Sequence, residues 1–227
     1  MTRKSDAGFS LIEVTMALLL IGIVMGFVFK SAPLLESAQL RSVVQNVEAY
    51  RVATQLFVEK YGYFPGDCPT AKEFIAPYLR DGNGNSRIEG HGMAHDSEAF
   101  WFWQHLGAAG FIAHPGRVPD HQPITFGHGV PSAKTGGGFT VAHPPMGDRP
   151  VSGIWLLLGN HNGEENTRAL LTPLQVKYIL DLCGEGDPLN GSVRAHAGVD
   201  VPPDSCVRGE RLNMRTAYPA CVVYFRL

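Results

Sequence analysis

The hydrophobic pattern of this chain changes character twice. From Phe9 to Phe29 it is almost continuously apolar, broken by the single carboxylate of Glu13. At the helical rise of ~1.5 Å per residue such a run reaches roughly 30 Å, the thickness of a hydrocarbon core. Beyond Pro33 the pattern becomes periodic. Leu40, Val43, Val44, Val47, Tyr50, Phe57, Val58 and Tyr61 recur mostly at spacings of three and four, with Arg41, Gln45, Glu48 and Glu59 on other faces. That is an amphipathic helix, ended by Gly62 and Pro65. Pro33 cannot donate its helical hydrogen bond, so a kink or local unwinding is expected near residues 29–33.

After Tyr61 the pattern breaks into short pieces. A helix is expected over 96–112, capped by Ser97, and another over Leu174–Leu182, with Thr172 as cap and Pro173 at its first position. Strands are expected at Ile124–Phe126, Phe139–Ala142, Ile154–Leu158 and Cys221–Leu227, each bounded by Gly and Pro. Phe100, Trp101, Phe102 and Trp103 are adjacent on a helix and point in several directions, so most belong to a core, with one tryptophan left for an interface.

The start of the chain narrows function most. Arg3 and Lys4 precede the apolar run, which orients the leader to the cytoplasm and the rest outward. An ordinary secretory signal peptide has a shorter apolar region, roughly 7–15 residues, and a small-x-small cleavage site after it; neither is found here. An uncleaved signal anchor accounts for the length but not for Glu13. A carboxylate inside a membrane-length helix costs on the order of 2.5–3.5 kcal/mol on insertion scales and marks function. Gly22 and Gly26 add a GxxxG spacing, a weak signal for close helix approach.

Together, the basic leader, the Gly8-Phe9 junction and the run GFSLIEVTMALLLIGI resemble the N-terminus of type IV pilins and of type II secretion pseudopilins. The resemblance covers the first tenth of the chain. It implies cleavage by a prepilin peptidase between Gly8 and Phe9, N-methylation of Phe9, and a role for Glu13 in neutralising the terminal amine of a neighbouring subunit. It further implies an α+β fold, a long N-terminal helix packed on a small antiparallel sheet. The expected divisions are a leader at 1–8, a transmembrane helix at 9–30, an amphipathic stalk at 31–61 and a globular domain at 62–227. YGYFPGD (61–67) resembles the stretch after the long helix in pseudopilin-like prepilins, and GEGDPLNGSVRA (184–195) partly resembles a late turn of pilin-like proteins. The implied location is the inner membrane, single-pass, with the domain in the periplasm and later in a filament. The implied partners are the peptidase, other pilin or pseudopilin subunits and the membrane.

Composition adds bounds. The formal net charge is −2, and losing the leader with Arg3, Lys4 and Asp6 leaves −3, so no nucleic-acid partner is expected. The four cysteines are Cys68, Cys183, Cys206 and Cys221, an even count compatible with disulfides in an oxidising compartment. Many pilins close a C-terminal loop with a disulfide, which implies Cys206–Cys221 and leaves Cys68 and Cys183 as a second pair. A zinc tetrad would want a CxxC spacing that is missing.

Asp81, Asn83 and Asn85 alternate like the start of a calcium loop, and some pseudopilins bind calcium in a loop. Ser86 and Gly92 break the full EF-hand pattern, Glu89 or Glu98 are candidates to complete a shell, and a self-bonded Asp-Gly/Asn-Gly turn is the alternative. The nine histidines lie mostly beside Pro or Gly in loops, where solvated rings are expected; HExxH and GxSxG are absent. HGVPSAKT (128–135) lacks both glycines of a phosphate loop. The expectation is a non-enzymatic, structural subunit, with a minor role in its filament. The alternative is a membrane-anchored periplasmic binding or enzymatic domain that uses a prepilin-type signal. A DNA-uptake role would demand a surface Arg/Lys stripe, which the overall charge does not suggest.

Overall fold

The computed structural model describes residues 10–142 and 153–227, with the side chains of 27–33 and 142 outside that description. The chain divides into two units, Met1–Gln39 and Leu40–Leu227. The boundary falls at Leu40, the first buried one among the described side chains of the long N-terminal helix.

Helix α1 runs without a break from Leu11 to Tyr61. The unwinding expected at 29–33 does not occur, because Pro33 removes one bond from a ladder that the turns on either side keep intact. The helix stops where glycine allows it. Gly62 takes φ 77° and donates its amide to Val58 O at 2.8 Å. Leu40, Val43, Val47, Ala53 and Phe57 are buried on one stripe, as the three-and-four spacing requires.

That stripe belongs to the same core as one face of an antiparallel sheet. Its strands are β3 (Gly138–Ala142), β4 (Trp155–Asn162), β9 (Cys221–Arg226) and β6 (Val193–Ala197), in that spatial order. β5 (Glu165–Arg168) forms a hairpin with the far end of β4. The remaining pairings are two-residue strands, β1 (Thr125–Phe126) beside β2 (Gly129–Val130) and β7 (Val207–Arg208) beside β8 (Arg211–Leu212). Period-two alternation sends Phe139, Val141, Leu156, Leu158, Val193, Ala195, Val223 and Phe225 to the core face. Tyr50 of α1 meets Phe139 edge-on at 5.5 Å between centroids. The opposite face covers itself: Arg194 lies over the Trp155 ring at 4.9 Å and His196 meets Tyr224 edge-on. Burial pushes the Tyr224 hydroxyl up to about 12.

Three shorter helices complete the unit: α2 (Ala71–Phe74), α3 (Glu98–Ala108) and α4 (Pro173–Cys183). Local chemistry explains two of them. Ser97 accepts the Phe100 amide at 3.1 Å and starts α3. At α4, Thr172 and Gln175 form a reciprocal capping box, Pro173 opens the helix and Gly184 ends it in the left-handed conformation. Phe100, Phe102 and Trp103 are buried, and Trp103 sits 4.9 Å from Tyr50; Trp101 alone stays partly exposed. Burial there raises the Tyr50 hydroxyl to about 12.

The segment 184–195 read as a turn divides in two. Glu185 accepts the Ser192 amide and hydroxyl, closing the turn, and β6 begins at Val193.

Candidate functional site

The first feature is the exposed apolar half of α1. Ser10 O accepts the amides of Glu13 and Val14 at 3.0 and 3.2 Å, so Glu13 occupies the first turn. From Leu11 to Met25 every large apolar side chain is at least about half exposed, Leu11 by 85 %, on all sides of the helix. Thr15 donates its hydroxyl to Ile12 O at 2.9 Å and so hides its polar group along the helix. A Cβ built on Gly22 or Gly26 meets nothing within 4 Å, so the GxxxG spacing is unpartnered among the described residues. Gly8 and Phe9, the expected cleavage junction, lie outside the described residues, as do Arg3 and Lys4.

Among the described residues no helix is long and apolar enough to cross a membrane. The described apolar stretch, Leu11 to Gly26, reaches ~24 Å, short of a ~30 Å core. The rest of the expected span, Phe9 and the side chains from 27, is not described.

The second feature is the loop between α2 and α3. Asp67 is buried and clamps it, accepting the amides of Asn85 and Ser86 at 2.9 and 2.8 Å. Asn83 and Asn85 face Glu89, donating to it at 3.1 and 3.2 Å, while their carbonyl oxygens accept the amides of Asn85 and Arg87. Glu98 accepts the amides of Asn83 and Glu89, at 3.0 and 3.2 Å. Burial, then the negative charges of Asp67 and Glu89, push the Glu98 carboxyl above its usual range, against the pull of those two amides.

Asp81 does not join this group. It accepts the Lys72 amide at 2.8 Å and faces the Lys72 ammonium at 3.8 Å. Of the three residues expected to hold calcium, Asp81 is thus engaged by Lys72, and Asn83 and Asn85 by groups of their own loop. Among the described residues no group of three or more His, Cys, Asp or Glu side chains is arranged to hold a metal ion. A cleft of about 500 Å³ opens beside the loop, with Glu89, Asp96, Glu98, Glu164 and Trp101 among its walls.

His105 was expected in none of these roles. It is fully buried on α3, where Nδ1 accepts the Gly66 amide at 2.9 Å and Nε2 donates to Arg80 O at 2.8 Å. Burial drives its pKa down to about 4, so the ring is neutral at physiological pH. Gly66 itself has no alternative: φ is 86°, and a Cβ there would stand 2.4 Å from Glu98 O.

The third feature is a closed loop. Cys206 and Cys221 are bonded, with Cα atoms 5.0 Å apart. Cys68 and Cys183 are both free, against the expected second pair. Their surroundings differ. Cys68 is buried in the turn after α1, where its carbonyl accepts the Gly82 amide, whereas Cys183 ends α4 within the field of Glu48 and Arg51. Those residues lie at least ten positions before Tyr61, roughly 15 Å or more along the helix. Burial, joined by Glu48 and Glu185, raises the Cys183 thiol, which makes it a poor nucleophile.

Residues 3–29 match the model of the prokaryotic N-terminal methylation motif. The chain carries a prepilin-type signal. No curated protein and no solved structure matches the chain significantly. The prepilin-type signal implies processing by prepilin peptidase and assembly with other pilins. It also gives the apolar half of α1 and its Glu13 a membrane-associated setting, while the loop, the cleft and the disulfide lie outside the matched residues.

Proposed function

We propose that this prepilin-type protein is a structural filament subunit of a type IV pilus or of a type II secretion pseudopilus. Prepilin peptidase cleaves between Gly8 and Phe9, Phe9 is N-methylated, and residues 9–30 hold the chain in the inner membrane with its domain in the periplasm. The chain then leaves the bilayer and enters the filament. The observation that carries this reading is the exposure of the Leu11–Met25 side chains on every side of α1. Apolar surface of that extent is covered either by lipid or by neighbouring helices, and a filament subunit uses both in turn. Glu13, the one carboxylate in that surface, pairs with the methylated amine of the adjacent subunit, which offsets the cost of burying it. Nothing in the reading calls for an enzymatic site.

The test is fractionation. The processed chain, cut before Phe9, should appear in sheared filaments or in the pseudopilus. A chain found only in the membrane fraction would favour an anchored periplasmic domain instead.

A further inference from the structure

The loop closed by Cys206–Cys221 holds an arrangement that stability alone does not account for. β7 and β8 pair so that Val207 faces Leu212 and Arg208 faces Arg211. Val207 and Leu212 turn toward the core, which leaves both arginines exposed and directly opposed. Like charges at opposed positions of an antiparallel pair destabilise it. Among the described residues no acidic group lies within ion-pairing distance of Arg208, Arg211 or the nearby, exposed Arg215. The loop is nonetheless well held: Asn213 donates to Cys206 O and Asp204 O, both at 2.8 Å, and Thr216 donates to Asn213 O. Met214 and Tyr218, in the same disulfide-closed loop, are each about half exposed. Arg, Tyr and Met are residue types enriched in protein interfaces, and the guanidinium fork matches a carboxylate.

The same unit offers carboxylates in the complementary place. β7 packs beside β6, the strand at one edge of the sheet. The acidic cleft lies at the other edge, where Gly92 abuts Thr140 of β3. Three strand spacings, roughly 14 Å, separate those edges. On the cleft wall Asp96 and Glu164 are exposed, and among the described residues neither carboxylate has a partner.

We propose that the Arg208/Arg211 hairpin is a docking surface for a second copy of this chain, whose Asp96 and Glu164 it receives. Surfaces on opposite edges make a head-to-tail contact, which repeats into an open array rather than closing as a dimer. The proposal rests on the filament reading for its setting and adds to it a contact between the folded units, separate from α1.

The test uses the full chain in detergent micelles, with self-association measured by sedimentation at low and high salt. The pair Arg208→Glu/Arg211→Glu should weaken association at least about tenfold at low salt. Asp96→Lys/Glu164→Lys should do the same, and the four substitutions combined should restore it, which misfolding cannot imitate. Unchanged association of either charge-reversed pair, with a parental melting temperature, would overturn the contact. So would arginine variants that lose binding to a duplex DNA probe while self-association persists. If the processed chain enters filaments whatever these charges are, the contact fails and the filament reading stands. If association follows the charges but the chain stays out of filaments, the reverse holds.

Discussion

His105 Nδ1 accepts the amide of Gly66 at 2.9 Å, and through that bond α3 holds the turn that leaves α1. The acceptor must be unprotonated. The ring's pKa lies at about 4, below the ordinary 6.5, so the unfolded chain takes up this proton first as pH falls. Stability from this group is therefore full above about pH 6.5, declines as pH falls toward 4, and levels off below. The whole loss is about 3 kcal/mol. Thermal melts across that window should fall with acid for the parent. They should be flatter for His105→Gln, which starts lower because a buried donor loses its partner. Parallel curves for the two would remove the assignment.

Glu13 offers the most direct test of assembly. Glu13→Ala removes a costly carboxylate from the apolar surface, so insertion should be unharmed or improved. Entry into filaments should drop sharply, read as processed subunit in the sheared fraction. A variant that assembles at the parental level would show that Glu13 has no pairing role.

The Cys206–Cys221 bond closes a loop across a sequence separation of 15 and anchors the first residue of β9. Its removal by Cys206→Ser/Cys221→Ser should cost about 3 kcal/mol. In a unit of this size that corresponds to a drop of about 6–12 °C in melting temperature. Alkylation of the free thiols should leave the parent's disulfide intact and label Cys183 ahead of buried Cys68.

The loop from Asp81 to Gly90 tests the calcium expectation. With Asp81 tied to Lys72 and the asparagine oxygens taken by amides, we expect the same melting temperature with calcium and with chelator. A rise with calcium would mean that Glu89 and Glu98 take the cation without Asp81. Asp67→Asn should destabilise the unit by about 1–3 kcal/mol in either condition, read as a lower melting temperature, because one of its two amides loses a charged acceptor.

How much of this was legible in the sequence follows from the range of each interaction. The starts of α3 and α4 are set by residues three apart, Ser97 with Phe100 and Thr172 with Gln175, so local reading finds them. The core stripe of α1 is legible for the same reason. β6 is not: Val193 and Ala195 are its core residues, but Arg194 and His196 interrupt the apolar signal and small alanine weakens it. Asp67 and His105 were missed because their partners stand 18, 19, 39 and 25 residues away, beyond any spacing rule. Asp81 shows the converse, since its alternation with Asn83 and Asn85 is genuine but Lys72 claims it first.

β9 lies between β4 and β6, yet it follows both in the chain. The middle of the sheet is thus the last strand to be supplied. Until Cys221–Arg226 has been made and delivered, β4 and β6 have no common neighbour and the core face cannot close over α1. A chain threaded across a membrane from its N-terminal side would arrive with its sheet incomplete, and completion would coincide with the arrival of Cys221 in an oxidising compartment. For a chain exported in that direction, strand order by itself would make closure of the sheet wait for the arrival of β9.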